Sequence, residues 1–297
     1  MSQNQFEFLV GDNPFHGISH LSQESARNRG DYPTLAANAA QLVLTALENG
    51  AQGFMFTISN TTLSIIEELK KSETDKQIKL YALCPYAYEY VRLATQLGGI
   101  PGLAKKVTRE ILFSGNIPAI SAGIKGFLFT DISSILRTYL LYEMNRLKKV
   151  AGNNAILESI LLHEVITDMA LALDLKPLFQ SFMDFMIKKR LKPGFETRNF
   201  VYLMNKFEEW NIDLSKIVIA TPFNKIGFLM NPSQESCENA LKKHPETKVI
   251  AMSVLAAGYL KPAEALGYLN TIPIKAAVIG ISSDKQAKET FSTKIIT

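Results

Sequence analysis

Short apolar runs punctuate the chain, and each is followed by a stretch whose apolar positions recur three and four residues apart. The runs read FEFLVGD at 6–12, GFMFTIS at 53–59, IKLYALCPY at 78–86, IKGFLFTD at 124–131, ESILLHE at 158–164, KIVIATPF at 216–223, KVIAMSV at 248–254 and KAAVIGIS at 275–282. They are nearly continuous in Val, Ile, Leu and Phe rather than alternating, which is the pattern of strands buried on both faces. The stretches between them predict amphipathic helices. TLAANAAQLVLTALENG at 34–50 carries an apolar stripe and ends at Asn49-Gly50, a helix stop. TTLSIIEELKKS opens with Thr61 and Thr62 as N-cap candidates, SQESCENALKKH with Ser233, and SDKQAKETF with Ser283.

Strand–helix alternation eight times over predicts a (β/α)8 TIM barrel, an α/β fold that needs about 250 residues. One domain spanning 1–297 is expected. The surplus length falls after the third strand (87–122) and after the fifth (165–214), and predicts extra helices there. LGGIPG divides the first of these regions, and Pro193-Gly194 in LKPGFETRNF reads as a break between two helices in the second. An open doubly wound sheet is the second choice, disfavoured because no strand leads into a GxGxxG loop.

Composition narrows the class further. Of 297 residues, 47% are hydrophobic and 20% charged, which describes an ordinary globular protein. The net charge of +4 comes from scattered Lys and Arg, and the densest basic run, IKKRLK at 187–192, reads as a solvated helix end. No nucleic-acid partner is expected. Cys84 and Cys237 are the only cysteines, so a disulfide framework is not expected and a reducing, cytoplasmic compartment is. Neither a signal peptide nor an apolar run of the ~18 residues needed for a membrane span is read from the chain.

A barrel of this class carries its site at the C-terminal ends of the strands. That rule turns the strand list into candidates. LVGDNPFHGISHLS at 9–22 delivers Asp12, Asn13, His16 and His20; strand two delivers Thr57, Ser59 and Asn60; strand three Cys84, Tyr86 and Tyr88; strand four Thr130 and Asp131. ESILLHE delivers His163, Glu164 and, just beyond, Asp168; strand six Thr221, Asn224 and Lys225. Strands seven and eight run into LAAGYL and GISSDKQ, which set Ser253, Gly258, Gly280, Ser282 and Ser283 where backbone amides and a helix start can receive a phosphate or a cofactor.

Several chemistries remain open on these residues. His163 beside Glu164 suits a tuned acid or base, although adjacent strand residues face opposite ways and only one can face the interior. Asn13, Asn224 and Lys225 suit binding of a substrate oxyanion. His16 and His20, four apart, could join Asp12, His163 or Glu164 around a metal in a lyase or hydrolase, but the spacing lacks the Glu of an HExxH helix, and no metal is assigned. Lys225 is the best candidate for a Schiff base. Cys84 reads as a small buried hydrophobe rather than a nucleophile. A barrel that binds a small ligand without turning it over is the reading from a different class.

The C-terminal part resembles an aldo-keto reductase. MSVLAAGYLKPAEALGYL is similar to that family's strand-seven segment, and VIGISSDKQAKETF to the strand-eight segment that binds the adenosine phosphate of NADP. GFMFTISNT lies where the family has Phe-Asp-Thr-Ala-x-x-Tyr, and SILLHE is similar to its histidine strand. The resemblance implies the barrel, a carbonyl or phosphorylated metabolite as substrate and NADP as cofactor. The family's Asp, Tyr, Lys and His tetrad is not carried over: Phe56 stands at the Asp position, Thr61 near the Tyr position, and YALCPY holds no Lys. His163 lies on the fifth apolar run, whereas the resemblance places the histidine on the fourth strand.

Overall fold

The computed structural model describes residues 6–16, 32–72, 74–85 and 132–293. Eight strands close into a parallel barrel in sequence order: β1 (Glu7–Gly11), β2 (Gly53–Thr57), β3 (Ile78–Cys84), β4 (Ala155–Leu162), β5 (Lys192–Glu196), β6 (Val218–Pro222), β7 (Lys248–Met252) and β8 (Ala276–Gly280). The ring shuts where β1 pairs with β8, Leu9 opposite Val278. Around it stand α1 (Tyr32–Glu48), α2 (Asn60–Lys71), α3 (Ile132–Val150), α4 (Glu164–Ala172), α5 (Lys176–Lys188), α6 (Phe200–Glu209), α7 (Gln234–Lys243), α8 (Pro262–Leu269) and α9 (Asp284–Phe291). Among the described residues no helix is long and apolar enough to cross a membrane.

Successive strand residues point alternately inward and outward, so each strand feeds two cores. Leu9, Met55, Tyr81, Leu161, Val218, Ala220 and Ile250 fill the barrel interior. Phe8, Val10, Phe54, Phe56, Ile160, Phe195 and Ile219 face out, against helix residues such as Phe179, Phe182, Phe207 and Leu266. Both sets being apolar is why the strands read as continuous runs. At the strand N-termini the interior ends in polar groups. The Glu7 carboxylate takes Nζ of Lys248 at 2.5 Å and of Lys79 at 3.3 Å, and the Tyr81 hydroxyl lies 3.1 Å from it. These contacts join β1, β3 and β7 across the barrel and form its floor.

Helix starts are fixed by side-chain caps. Ser233 and Ser283 cap α7 and α9, as the sequence indicates. The cap of α2 is Ser59 rather than Thr61 or Thr62; Thr62 instead closes a capping box, its hydroxyl receiving the Ser59 amide.

The structure corrects the strand count. The run at 124–131 lies outside the described residues, and the fourth place in the ring belongs to 155–162, the fifth run of the sequence. The fifth strand is the stretch around Pro193-Gly194, not a break between two helices. Proline is tolerated because it stands opposite Ile160 near the strand's start while Gly194, Phe195 and Glu196 pair on toward β6. The helix pair expected after the fifth run, α4 and α5, therefore follows the fourth strand of the ring. Residues 87–122 fall outside the described part.

Gly53 and Gly194 in the ring have no room for a side chain. At Gly53 a Cβ would meet the Lys79 carbonyl oxygen at 2.3 Å, and at Gly194 it would meet Leu161 Cγ at 2.4 Å. Backbone cannot move aside as a flexible side chain can, so Gly53→Ala should destabilise the protein by about 1–3 kcal/mol or more. Urea unfolding checks this; an unchanged midpoint would mean that the strand pair at Gly53 is looser than drawn.

Candidate active site

The strand C-termini converge on a polar mouth. β1 ends at Asp12, which is buried and accepts the Thr57 amide at 2.7 Å and His16 Nε2 at 3.0 Å on one carboxylate oxygen. This ties the 3-10 turn Asn13–His16 to the end of β2. Asn13 itself points to solvent. His20 lies outside the described residues, as do Tyr86, Tyr88, Thr130 and Asp131.

β4 delivers His163, the residue directly before α4. Its Nδ1 accepts the Val165 amide at 3.3 Å and so caps the helix. An Nδ1 that accepts carries no proton, so the neutral ring holds its proton on Nε2. Nε2 faces the carboxyl of Glu196 at the end of β5, 3.9 Å away, with the two side chains only 10% and 12% exposed. That gap is too long for a hydrogen bond and wide enough for one substrate atom to touch both.

The environment sets both protonation states. Burial pushes His163 below the usual imidazole range; Arg198 acts in the same sense, while Glu164 and Asp12 oppose it. Burial, then the neighbouring Glu164 and Asp12 carboxylates, push Glu196 up to about 8, against the Glu164 amide and Arg198. At neutral pH the pair is a neutral imidazole beside a neutral carboxyl.

One ion pair and a set of hydrogen bonds surround this pair. Glu164 donates its amide to Glu196 Oε2 at 3.0 Å and takes the Arg198 guanidinium on its carboxylate at 2.6 Å. Asp168 receives the Thr197 hydroxyl, the Arg198 amide and the Asn199 side chain. The acid that faces His163 is thus Glu196, across the strand pair, and not its sequence neighbour Glu164, which turns to Arg198.

The other candidates make contacts of their own. Lys225 is half exposed and paired to Glu264 at 2.6 Å, not desolvated as a Schiff-base lysine requires. Asn224 is buried, and its amide clamps its own loop through both the N–H and C=O of Phe228. Cys84 is buried and its thiol is pushed well above its usual range by that burial. After β7, Ser253, Ala256, Ala257 and Gly258 have φ of 52°, 45°, 58° and 89°, and the amides of Ala256 and Gly258 turn back to carbonyls of the same turn. Gly280 leaves room for the Pro14 ring, which a Cβ would meet at 2.8 Å. Ser282 donates its amide to the Gln286 side chain, and the Ser283 hydroxyl caps α9. Among the described residues no three of His, Cys, Asp and Glu come close enough together to hold a metal ion.

No protein-family model matches the chain, and no curated protein matches it. Solved structures do. A Pseudomonas aeruginosa protein assigned as an aldo-keto reductase superposes with a TM-score of 0.56 at 10% identity, covering 96% of this chain and 88% of that one. An aldo-keto reductase of Bacillus halodurans in its holo form gives 0.55 at 10% identity, over 99% and 89%. A mutant of Gox0644 in complex with NADPH gives 0.50 at 10% identity, over 96% and 82%. The chain is a TIM barrel similar in fold to these aldo-keto reductases. Its His163 follows the fourth strand of the ring, not the fifth as the apolar runs suggest. Among the described residues, Phe56 is buried and stacks on Phe54 with ring centroids 5.0 Å apart, and Cys84 ends β3.

Glu196 and Arg198 are the residues that sequence reasoning missed. The signal was present in KPGFE, where every second residue, Lys192, Gly194 and Glu196, lies on the face that includes the mouth.

Proposed function

We propose that this mouth is an active site for acid–base chemistry on the carbonyl group of a small compound, carried by His163 and Glu196. The observation behind the reading is the facing pair: a proton on Nε2 and a protonated carboxyl, 3.9 Å apart and shielded from water. A carbonyl oxygen placed between them meets two donors. Nε2–H polarises it, and the Glu196 carboxyl gives up its proton as negative charge grows on that oxygen. The Glu164–Arg198 ion pair, with the Asp168 carboxylate accepting the Arg198 amide, keeps the Glu196 carboxyl aimed.

The fold suggests NADP, and the residues fit it at one of the two loops. At the start of α9 the Ser282 and Ser283 hydroxyls lie at a helix N-terminus, and the Asp284 carboxylate is turned aside to the Thr45 hydroxyl at 3.1 Å. After β7 the amides of Ala256 and Gly258 are already spent within the turn, so Ser253 and Gly258 do not form a second cradle. When bound, the nicotinamide supplies a hydride; the chain supplies the proton and the orientation.

The test is NADPH-dependent reduction of a panel of small aldehydes and ketones. His163→Asn should lower turnover about 10²–10⁴-fold, the usual range for a lost proton-transfer group. NADPH affinity, read by fluorescence, should be unchanged. Full activity in the His163 variant would sink the assignment.

A further inference from the structure

Glu196 is a carboxyl in the top layer of the barrel, fixed on one oxygen by the Glu164 amide and within reach of whatever His163 touches. A group that gives a proton at one pH takes one at another. We propose that, in its ionised form, Glu196 is the base of a cofactor-free enolisation: with His163 it removes a proton from the carbon next to the carbonyl of a small substrate. This rests on the reading of His163 as the group that meets the carbonyl oxygen.

The geometry suits the reaction. The oxygen and the α-carbon of a carbonyl compound stand about 2.4 Å apart by ordinary bond lengths. Nε2 and Oε2, 3.9 Å apart, can therefore face one of these atoms each. The Glu196 carboxylate takes the α-hydrogen as a proton. The C–H electron pair becomes the C=C bond, and the carbonyl π pair moves to oxygen, where Nε2–H holds the enolate by a hydrogen bond. A neutral imidazole as electrophile beside a carboxylate base is a known division of labour. Where the α-carbon bears a hydroxyl, that hydroxyl's proton passes to the enolate oxygen. Glu196 then returns its own proton to the former carbonyl carbon. The carbonyl has moved by one carbon, and no oxidant or reductant is consumed.

The charged groups around Glu196 are Glu164 and Asp168 on α4, Arg198 after β5, Asp12 after β1 and His163 itself. Burial with Glu164 and Asp12 keeps the base form scarce at neutral pH and abundant above about 8. Rates should therefore rise with pH through that region, in the opposite sense to a reaction in which Glu196 gives its proton.

The experiment is proton NMR of dihydroxyacetone and glyceraldehyde in D2O with the full chain and no nucleotide. Exchange of the α-hydrogen for deuterium, with interconversion of the two, is expected to be at least 100-fold above buffer and to climb between pH 6 and 9. Glu196→Gln should bring it down to the buffer rate, and Glu196→Asp should retain a fraction with the same upward slope. Exchange no faster than buffer, or unaltered in Glu196→Gln, overturns the proposal. If NADPH-dependent reduction that needs His163 persists while exchange is absent, the enolisation falls and the carbonyl reading stands. If neither reaction occurs, both fall.

Discussion

Glu196→Gln will match the native protein in stability below about pH 4.5 and exceed it by about 3–5 kcal/mol above about pH 8. The sign follows from the folded state holding the proton more tightly than the unfolded chain does. A carboxyl raised from 4.5 to about 8 on folding contributes fully while both states are protonated. As pH rises past 4.5 the unfolded chain releases the proton and the folded protein does not, and stability falls by about 1.4 kcal/mol per pH unit. Above 8 both forms are ionised and the loss levels off. Gln has the same shape and cannot ionise, so this decline is missing from the variant. Guanidinium unfolding of both proteins at pH 4, 6, 7.5 and 9 gives the two curves; parallel curves would show that Glu196 is not desolvated by its strand end.

Phe195→Ala is expected to cost about 3–5 kcal/mol, among the larger penalties a single core truncation brings. Phe195 is fully buried, with its ring 5.5 Å from Phe179, 5.5 Å from Phe182 and 5.1 Å from Phe207. It is the one large side chain that anchors β5 to the helices, because the strand's other residues are Lys192, Pro193, Gly194 and Glu196. Thermal unfolding should drop by roughly 10 °C. Phe195→Leu should recover most of the loss, since it keeps the apolar volume better. Because Glu196 is the next residue, the alanine variant should also blur the rise in deuterium exchange near pH 8.

The same strand shows what could be read from the chain and what could not. Seven of the barrel's strands announce themselves as runs of branched and aromatic residues, and their two-sided burial is a property of the residues themselves. β5 has no such run. Proline and glycine are poor strand formers, and these become a strand because β4 and β6 supply pairing on both edges and Phe179, Phe182 and Phe207 receive Phe195. That is tertiary context, which local pattern does not carry. The miscount moved the site with it. His163 was a candidate from sequence, but the carboxyl facing it was sought in Glu164, one residue away, because the strand carrying Glu196 was not recognised. Asp12 and His16 were legible as a loop at the mouth. The Thr57 amide that Asp12 also accepts comes from across the strand pair, which no spacing rule reveals. Lys225 was attractive as an unassigned lysine near a strand end, and only the position of Glu264, on the second helix after it, shows it to be an exposed ion pair.

The floor of Glu7, Lys79, Lys248 and the Tyr81 hydroxyl closes the strand N-terminal end of the barrel among the described residues. With Leu9, Met55, Ile250 and the Tyr81 ring packed above that floor, the described residues leave no through-passage along the barrel axis. Whatever enters at the strand C-termini departs there too. Two ligands sharing the mouth must therefore queue, the deeper one arriving first and leaving last. Product inhibition patterns should accordingly be those of an ordered, compulsory sequence rather than of independent traffic.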